Sequence, residues 1–255
     1  MPKETKTAKV VKPDKSKYAS ALGTIRLRYK KDTGTLTYVQ RGGNQSAVDR
    51  NGVSLDTYIH ALYGLIAQQP AKTVLMIGCG GGTLGKMLSR DGSDVTIVDI
   101  DKASFKLAKR HFGLPPDITC HVGDGLAYMQ RTRRRFDVLI IDAFIGEDIP
   151  PQFTGDTFCR AARRCLKRSG KLFMNVCIND KADLTAAALA LRLKNNGWAA
   201  RLLDQRGTAR NAIVLGGNVK GIKKPRLRDQ PQTEASRIKR ELNGMHFRRI
   251  RKPSP

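Results

Sequence analysis

The sequence lacks the features that mark membrane proteins, secreted proteins and zinc proteins. No apolar run reaches the roughly 18 residues that a membrane helix needs, and the N-terminal stretch MPKETKTAKVVKPDKSK has no apolar core of the kind found in secretory signals. The five cysteines form no C-x-x-C pair, and only four histidines are present. These absences predict a soluble, cytoplasmic protein with reduced thiols, no metal and no membrane partner.

Acidic residues are also scarce, at 22 Asp and Glu against 47 Lys and Arg, for a net charge of +25. The imbalance is steepest at the two ends of the chain. Residues 1–17 contain six lysines and two acids, and residues 217–255 contain twelve Lys or Arg and three acids. This composition predicts a basic, disordered leader (1–17) and a solvated basic C-terminal tail (217–255), whose field attracts polyanions.

Aromatic residues make up only 6% of the chain, and Phe247 is the only Phe, Tyr or Trp in residues 217–255. Proteins that hold single-stranded nucleic acid stack its bases on aromatic side chains. We therefore expect nucleic-acid contact of the basic tails to be nonspecific and directed at phosphates.

The most informative stretch is residues 72–101, KTVLMIGCGGGTLGKMLSRDGSDVTIVDID. An apolar run from Val74 to Ile77 ends at a glycine-rich loop, a helix-compatible stretch follows, and a second apolar run ends at Asp99, 21 residues after Gly78. Glycines allow a tight turn and a close approach of the backbone to a ligand, and an acid at this distance can accept hydrogen bonds from ribose hydroxyls. The stretch predicts a nucleoside-binding half of a Rossmann-like sheet.

The glycine spacing bears on which nucleoside is bound. A dinucleotide fingerprint needs G-x-G-x-x-G, but Thr83 occupies its third glycine position. The glycines at 78, 80, 81 and 82 resemble motif I of the class I S-adenosylmethionine-type transferases more closely. A nicotinamide or flavin enzyme, and a glycine-rich turn that binds nothing, stay open as alternatives.

Apolar runs and helix-like stretches alternate through residues 54–216, which predicts an α/β doubly wound, Rossmann-like domain. Ahead of it, GTIRLRY and GTLTYVQ alternate apolar and polar residues about a short turn, so we predict a small N-terminal β-hairpin domain (18–53) with a loop at 41–52. Ser54 is the predicted N-cap of the helix that links the two parts, and Gly170 is the predicted end of a later helix.

Three acids follow successive apolar strands: Asp99, Asp124 and Asp142. Ligands of open α/β sheets bind in the crevice outside the carboxyl ends of the strands, so we expect the three carboxylates to meet in one cleft. Each Asp has an alternative role as the N-cap of the following helix. Their shared position behind a glycine loop favours the binding site.

Six blocks follow one another along the chain: VLMIGCGGGTLGKML, VTIVDID, HVGDG, FDVLIIDAF, IPPQFTGDTF and LKRSGKLFMNV. In order and spacing they resemble the spermidine synthases and, more broadly, the spermidine-synthase-like transferases, over about residues 18–216. The resemblance implies a fold of the class I methyltransferase and spermidine synthase type, S-adenosylmethionine or its decarboxylated form as cofactor, and a small-molecule amine as acceptor. Members of that family commonly form dimers, so the resemblance also implies a homodimer.

The resemblance further implies roles for individual residues. Asp142 corresponds to the carboxylate that accepts the proton of the attacking amine, and Tyr58 corresponds to a tyrosine near the acceptor. Asp99 would hold the ribose diol, and Asp124, followed by Gly125, would receive the adenine amino group. The other implied cofactor contacts are Gln45, Gly78, Gly80 and Gly82, with the three glycines beside the methionine-derived part.

Two departures from that family leave the reaction open. Spermidine synthases have an aspartate in the glycine loop that holds the aminopropyl ammonium, but the loop here reads GCGGGT, and Ala143-Phe144-Ile145-Gly146 replaces their second acid after Asp142. A locally acidic stretch from Asp137 to Asp156 still suits a cationic acceptor, so aminopropyl-type transfer to a polyamine amine is the first hypothesis. S-adenosylmethionine-dependent methyl transfer to a protein, RNA or small molecule is the second, and a non-catalytic, basic nucleic-acid-associated protein is the third.

Overall fold

The computed structural model describes residues 10–205, 207 and 209–250. A four-stranded antiparallel sheet precedes an eight-stranded sheet flanked by helices. The strands are β1 (Lys17–Tyr18), β2 (Ile25–Tyr29), β3 (Leu36–Gln40), β4 (Gly43–Val48), β5 (Thr73–Ile77), β6 (Asp94–Asp99), β7 (Thr119–Val122), β8 (Phe136–Ile141), β9 (Leu166–Ile178), β10 (Ala200–Asp204), β11 (Arg210–Gly217) and β12 (His246–Arg248). The helices are α1 (Thr57–Ile66), α2 (Thr83–Arg90), α3 (Lys102–His111), α4 (Gly125–Arg131), α5 (Asp156–Cys165), α6 (Thr185–Asn195) and α7 (Ala235–Gly244). In this described part of the chain, no helix is both long and apolar enough to cross a membrane.

The eight-stranded sheet has the order β12-β10-β11-β9-β8-β5-β6-β7. Strands β5 to β9 run parallel, and β10, β11 and β12 extend one edge in antiparallel pairs. Successive residues of a strand point to opposite faces, so Val74 and Met76 share a core with α1, α2 and α7, whereas Leu75 and Ile77 share one with α4, α5 and α6. The predicted doubly wound α/β fold is confirmed.

The small sheet packs against α3 rather than standing alone. Its predicted hairpin is present as β2 and β3. Tyr38 of β3 meets Leu107 and Phe112, on and just after α3, in a separate apolar cluster. The loop predicted at 41–52 is wrong over β4, because those residues pair with β3 and bury alternate side chains despite their polar composition.

Two predicted helix ends are wrong. Ser54 does not cap α1; instead its hydroxyl oxygen accepts a hydrogen bond from the backbone N–H of Asp56, the residue that precedes the helix, at 3.1 Å. Gly170 does not end α5, because that helix stops at Cys165 and the chain enters β9 at once. Gly170 is needed inside β9, since a Cβ there would lie 2.9 Å from the carbonyl oxygen of Lys167.

The predicted N-terminal leader is partly folded. Residues 1–9 lie outside the described residues, but residues 10–17 are held against the protein. The backbone N–H of Val11 donates to the carbonyl oxygen of His111 at 3.2 Å, and Lys17 begins β1. The prediction of disorder is therefore wrong over 10–17, because backbone hydrogen bonds to the domain hold this segment whatever its side-chain charge.

The predicted solvated tail at 217–255 is also wrong over its described part. Ile238, Leu242 and Met245 place apolar side chains at helical spacing in the main core. Strand β12 then pairs with β10. The Lys and Arg residues of α7 dominate its composition and obscure this amphipathic spacing. Residues 251–255 lie outside the described residues.

Candidate active site

The three predicted acids meet at one cleft. Asp99 ends β6, Asp124 follows β7 and Asp142 follows β8, all at the carboxyl edge of the parallel strands. With the glycine loop after β5 they line a cleft of about 790 Å³, part of which is open to solvent. The other predicted residues in its lining are Gln45, Gly78, Gly80 and Gly125. Tyr58 and Gly82 are the two predicted residues that do not line it.

Gly78 is the residue at which β5 opens into the loop. Its φ is +98°, and a Cβ there would lie 2.0 Å from the carbonyl oxygen of Asp142. Both facts require glycine, because other residues strain at this φ and their side chain would displace the neighbouring backbone. The close approach joins the start of the loop to the backbone of Asp142 at the cleft.

The small sheet holds the glycine loop in place. Ser46 on β4 accepts a hydrogen bond from the backbone N–H of Gly81 at 2.9 Å. A Cβ at Gly80 would lie 2.9 Å from the same hydroxyl oxygen. Ser46 is absent from the predicted site, although it is the neighbour of Gln45, because β4 itself is not predicted.

Gly82 serves the following helix rather than the cleft. It has φ +69° and is the left-handed residue before α2. A Cβ there would meet the Leu114 side chain at 2.7 Å, on the side of the main core. The structure therefore does not bring Gly82 together with the other predicted site residues.

Asp99 binds the glycine loop and faces the cleft at the same time. Its two carboxylate oxygens accept hydrogen bonds from the backbone N–H groups of Cys79 and Asp101, each at 2.7 Å. Burial raises the pKa of Asp99 to about 6, although these hydrogen bonds favour the charged form. Each oxygen can accept a further hydrogen bond, which is the geometry that a ribose diol needs.

Asp124 combines the two roles that the sequence allows. Its Oδ1 accepts a hydrogen bond from the backbone N–H of Ala127 at 2.7 Å, which makes Asp124 the N-cap of α4. Its Oδ2 accepts one from Gln152 Nε2 at 3.3 Å in the cleft wall. Gly125 lets α4 pack against β5, since a Cβ there would lie 2.4 Å from Ile77 Cγ2. The cap thus fixes a carboxylate that also lines the cleft.

Two side-chain amides, linked by hydrogen bonds, lead to Asp142. Asn175 Nδ2 on β9 donates to Asp142 Oδ1 at 2.8 Å, and Asn211 Nδ2 on β11 donates to Asn175 Oδ1 at 3.0 Å. Neither amide belongs to the predicted site. Asn175 could have been found as a polar side chain within the apolar run KLFMNV, because a buried amide is costly unless it forms hydrogen bonds.

Asp142 and Tyr58 are neighbours that differ in protonation state at neutral pH. The pKa of Asp142 is raised to about 6, mainly by burial and further by the negative charge of Asp56, while contacts with Asn175 and Tyr58 act in the other direction. Burial and the Asp142 charge raise the pKa of Tyr58 well above its usual value. At neutral pH the pair therefore holds one ionised carboxylate and one protonated hydroxyl.

A second, larger cavity meets the cleft at Gln45 and Phe144, which line both. Its space of about 1660 Å³ is partly open to solvent and reaches Tyr58, Asn175 and helix α7. Its amide and acid lining consists of Asn44, Gln45, Asp56, Glu147, Asn175, Asn179, Gln205, Asn211 and Glu241. The pair of Asp142 and Tyr58 lies where the two spaces join, so the second cavity can receive an acceptor.

The C-terminal helix supplies one wall of this second cavity. Arg237 Nη2 donates to the carbonyl oxygen of Leu55 at 2.8 Å, and Arg237 Nη1 pairs with Glu241 at 3.0 Å. Glu241 also accepts a hydrogen bond from the hydroxyl of Thr57. The charge of Arg237 is therefore neutralised within the protein. This wall is not predicted from the sequence, because the segment is assigned there to a solvated tail.

The charge of the first cleft is of one sign. In the described part of the chain its lining contains Asp99, Asp124 and Asp142 and includes no Lys, Arg or His. No group of three or more His, Cys, Asp or Glu residues is placed to hold a metal ion among the described residues. The cleft is therefore suited to a cationic, nucleoside-sized ligand.

Comparison with known proteins finds methyltransferases and aminopropyltransferases among the similar sequences. A family model described as a methyltransferase domain matches residues 74–170. A polyamine aminopropyltransferase of Vibrio vulnificus is 31% identical over 127 residues, which make up 47% of this chain and 42% of that protein. An N-terminal histidine N-methyltransferase of Emericella nidulans is 28% identical over 141 residues, or 53% of this chain and 25% of that protein. The chain thus spans less than half the length of either relative.

The fold has a solved counterpart. A probable spermidine synthase from Corynebacterium glutamicum superposes with a TM-score of 0.74 at 19% identity, over 94% of this chain and 92% of that chain. The fold and the domain match define a fold of the class I S-adenosylmethionine-type transferases. Within this class, the aminopropyltransferase relative and the spermidine synthase likeness support the spermidine-synthase-like family predicted from the sequence. The two named relatives are transferases, and the structural neighbour is a probable spermidine synthase.

Proposed function

We propose that the chain transfers an aminopropyl-type alkyl group from decarboxylated S-adenosylmethionine to an amine of a polyamine. The charge of the cleft carries this proposal, since its lining has three carboxylates and, among the described residues, no cationic side chain. The decarboxylated cofactor bears a positive sulfonium and a positive ammonium. S-adenosylmethionine adds a carboxylate, which would meet only acidic side-chain charges there.

The residues of the cleft fit the parts of such a cofactor. Gly78 and Gly80 line the cleft, so the backbone of the loop would lie beside the methionine-derived part of the cofactor. Asp99 would receive the ribose diol and Asp124 the adenine amino group. Gln45 lies where the cleft meets the second cavity, which suits contact with the reacting end of the cofactor.

Local acidity supports a cationic acceptor. A polyamine is repelled by a protein of net charge +25, so its site must supply carboxylates of its own. The second cavity offers Glu147 and also Asp56, whose charge acts on Asp142. Its two arginines are neutralised within the protein, Arg237 by Glu241 and Arg210 by Asp204 at 2.8 Å.

Asp142 is the proposed proton acceptor. An aliphatic amine has a pKa of about 10, so it must lose a proton in order to attack. The cofactor supplies an electrophilic carbon beside its sulfonium. The C–S bond of the sulfonium breaks as the C–N bond forms, and the sulfur leaves as a neutral thioether. Asp142, held by Asn175 and ionised at neutral pH, takes the proton of the amine, while Tyr58 stays protonated beside it. The rest of the site aligns nitrogen and carbon with the leaving sulfur.

Methyl transfer from S-adenosylmethionine is the second candidate. It is favoured by the methyltransferase-domain match over residues 74–170 and by a glycine loop without an acid to hold an ammonium. Helix α2 begins directly after this loop, and the N-terminus of a helix favours a carboxylate.

Calorimetry on the purified protein separates the two candidates. We expect decarboxylated S-adenosylmethionine to bind at least about tenfold more tightly than S-adenosylmethionine, a difference of about 1.4 kcal/mol. Incubation of the decarboxylated cofactor with putrescine should release methylthioadenosine. Tighter binding of S-adenosylmethionine, with S-adenosylhomocysteine formed in the presence of a cell extract, would replace this proposal by methyl transfer.

A further inference from the structure

A basic groove lies on the surface formed by α5 and the starts of β8 and β9. Two adjoining depressions, of about 640 and 1010 Å³, share Arg135, Arg163 and Trp198. The other basic residues in their lining are Arg160, Arg164, Lys167 and Arg168. These six basic residues and Trp198 define the basic groove.

The basic groove has no acidic counterpart. Within the described residues, no Asp or Glu lines either depression, and of the six bases only Lys167 forms an ion pair within 4.0 Å, with Asp137 at 2.9 Å. Exposed arginines elsewhere do find partners, as Arg134 does with Asp94 at 2.7 Å. Most Lys and Arg residues in the described part of the chain form no ion pair, so what distinguishes the groove is the gathering of six bases along two adjoining depressions whose linings include no acid.

Helix α5 concentrates like charges on one face. Arg160, Arg163 and Arg164 are three and four residues apart, so their side chains are neighbours on the helix surface. Like charges at this spacing destabilise a helix by roughly 0.2–0.5 kcal/mol per pair. Asp156, four residues before Arg160 on the same helix, offsets part of this cost, and a bound anion would offset the rest.

The guanidinium groups are held in place without being neutralised. Arg163 Nη2 donates to the carbonyl oxygen of Asn196 at 3.0 Å, and its guanidinium carbon lies 4.7 Å from the centre of the Trp198 ring. Arg164 Nη2 donates to the carbonyl oxygen of Met129 at 3.0 Å. Each guanidinium has five N–H donors, so most of them stay available. Such fixed forks match the oxygens of a phosphate.

The basic groove is separate from the cleft. Phe136 begins β8 beside Arg135, whereas Asp142 follows the other end of the same strand. Six residues of a strand span about 20 Å, so the groove and Asp142 lie near opposite ends of strand β8. A ligand in the groove would anchor the protein rather than enter the reaction.

We propose that the basic groove binds the phosphodiester backbone of a nucleic acid without selecting its base sequence. A concave surface lined by guanidinium groups suits a strand of phosphates. Trp198 is only 7% exposed and is covered by Arg163, so it offers no face for base stacking. A membrane surface is less suitable, since interfacial binding needs exposed apolar side chains beside the basic ones.

Fluorescence anisotropy with the full-length protein and a labelled single-stranded RNA of about 20 nucleotides tests this proposal. The groove variant carries Arg160→Gln, Arg163→Gln and Arg164→Gln, which preserve helix propensity. The matched control carries Lys102→Gln, Lys106→Gln and Lys109→Gln, three exposed positions on α3 with the same change of net charge.

We expect the groove variant to lose about tenfold or more in RNA affinity, and the slope of log K against log salt to become less steep by about 2, at about 0.7 for each of three lost phosphate contacts. The control should change affinity by less than about threefold. Equal losses in both variants would show that net charge alone attracts RNA and would overturn the proposal. So would groove-dependent capture of phosphatidylserine vesicles with RNA binding unchanged.

Thermal unfolding of both variants checks that they fold. Should the triple variant fail to fold, Arg160→Gln alone decides, because Arg160 contacts only Thr157 of its own helix by hydrogen bond, at 3.2 Å. A smaller loss of RNA affinity in the same direction supports the proposal, and an unchanged affinity and salt slope contradicts it.

Discussion

The neighbours of Asp142 set both the orientation and the pKa of its carboxylate. Asn211 donates to the amide oxygen of Asn175, so Asn175 must present its NH₂ group to Asp142, and flipping its amide would lose both hydrogen bonds. One carboxylate oxygen is thereby fixed. Burial meanwhile raises the pKa of Asp142 to about 6, which makes it a stronger base than a solvated Asp and still leaves it ionised at neutral pH.

The first prediction concerns the reaction of Asp142→Asn. The amide cannot accept a proton from the acceptor amine, so we expect kcat to fall by about 10² to 10⁴, while the affinity for the cofactor changes by less than about tenfold. Initial rates and calorimetry measure the two effects separately. Asp148→Asn, at an exposed position of the same segment, is the control and should keep kcat within about threefold. A kcat of Asp142→Asn close to that of the control would exclude Asp142 as the base.

The same substitution makes a prediction about stability and pH. Because folding raises the pKa of Asp142 from 3.8 to about 6, the stability linked to its protonation is fully present below about pH 3.8 and is lost as pH rises through about 6. Asn keeps the hydrogen bond from Asn175 but carries no charge. We therefore expect Asp142→Asn to be more stable than the parent by about 1–3 kcal/mol near pH 8, with the difference shrinking toward zero near pH 4. Urea unfolding of the ligand-free proteins at several pH values measures it, and a pH-independent difference would contradict the raised pKa.

At the scale of elements, the glycine loop is fixed between a strand end and the small sheet. Gly78 packs on the backbone of Asp142, and Gly81 donates to Ser46 of β4. The position of the loop thus depends on β8 and on β4, two elements far apart in the sequence. A change at either contact should move the loop and with it the N–H that binds Asp99.

Gly78→Ala tests this dependence. Its Cβ would lie 2.0 Å from a backbone oxygen at a φ of +98°, so we expect a loss of about 2 kcal/mol or more in the free energy of unfolding, together with loss of cofactor binding. Gly155→Ala is the matched control, because no atom lies within 4 Å of its Cβ position and its φ is −98°. Alanine is a poorer N-cap than glycine, so Gly155→Ala should cost about 1 kcal/mol or less and leave cofactor binding unchanged. Denaturant unfolding and calorimetry measure the two effects. Equal stability and equal cofactor binding of the two variants would contradict the role given to Gly78.

The elements that sequence reasoning predicts and those that it misses differ in a physical way. The parallel strands are predictable because burial on both faces leaves continuous apolar runs, as in FDVLII. Strand β4 is not, because its partly exposed face and its polar residues Asn44, Gln45 and Ser46 look like a loop. Asp99, Asp124 and Asp142 are found because a parallel sheet brings strand ends together. Asn175 and Asn211 are missed because their role depends on the antiparallel register of β9 and β11.

At the scale of the whole molecule, charge composition misleads about the ends of the chain. The segment from 217 to 250 is strongly basic, yet α7 packs on α1 and closes the second cavity. Composition averages over a segment, whereas packing depends on the spacing of a few apolar side chains. Part of the unneutralised charge instead lies in the basic groove, on the folded domain and outside the terminal segments.

The last prediction follows from the place of α7 in the core. Leu242 is 1% exposed and belongs to the main apolar cluster, so Leu242→Ala should lower the free energy of unfolding by about 2–5 kcal/mol. Lys239→Ala lies on the exposed face of the same helix and should change it by less than about 0.5 kcal/mol. Because α7 carries Arg237 and Glu241 into the second cavity, Leu242→Ala should also raise the KM for the acceptor amine more than it changes the affinity for the cofactor. Guanidinium unfolding and steady-state kinetics on the two variants measure both effects, and equal stabilities would mean that the C-terminal segment is a solvated tail after all.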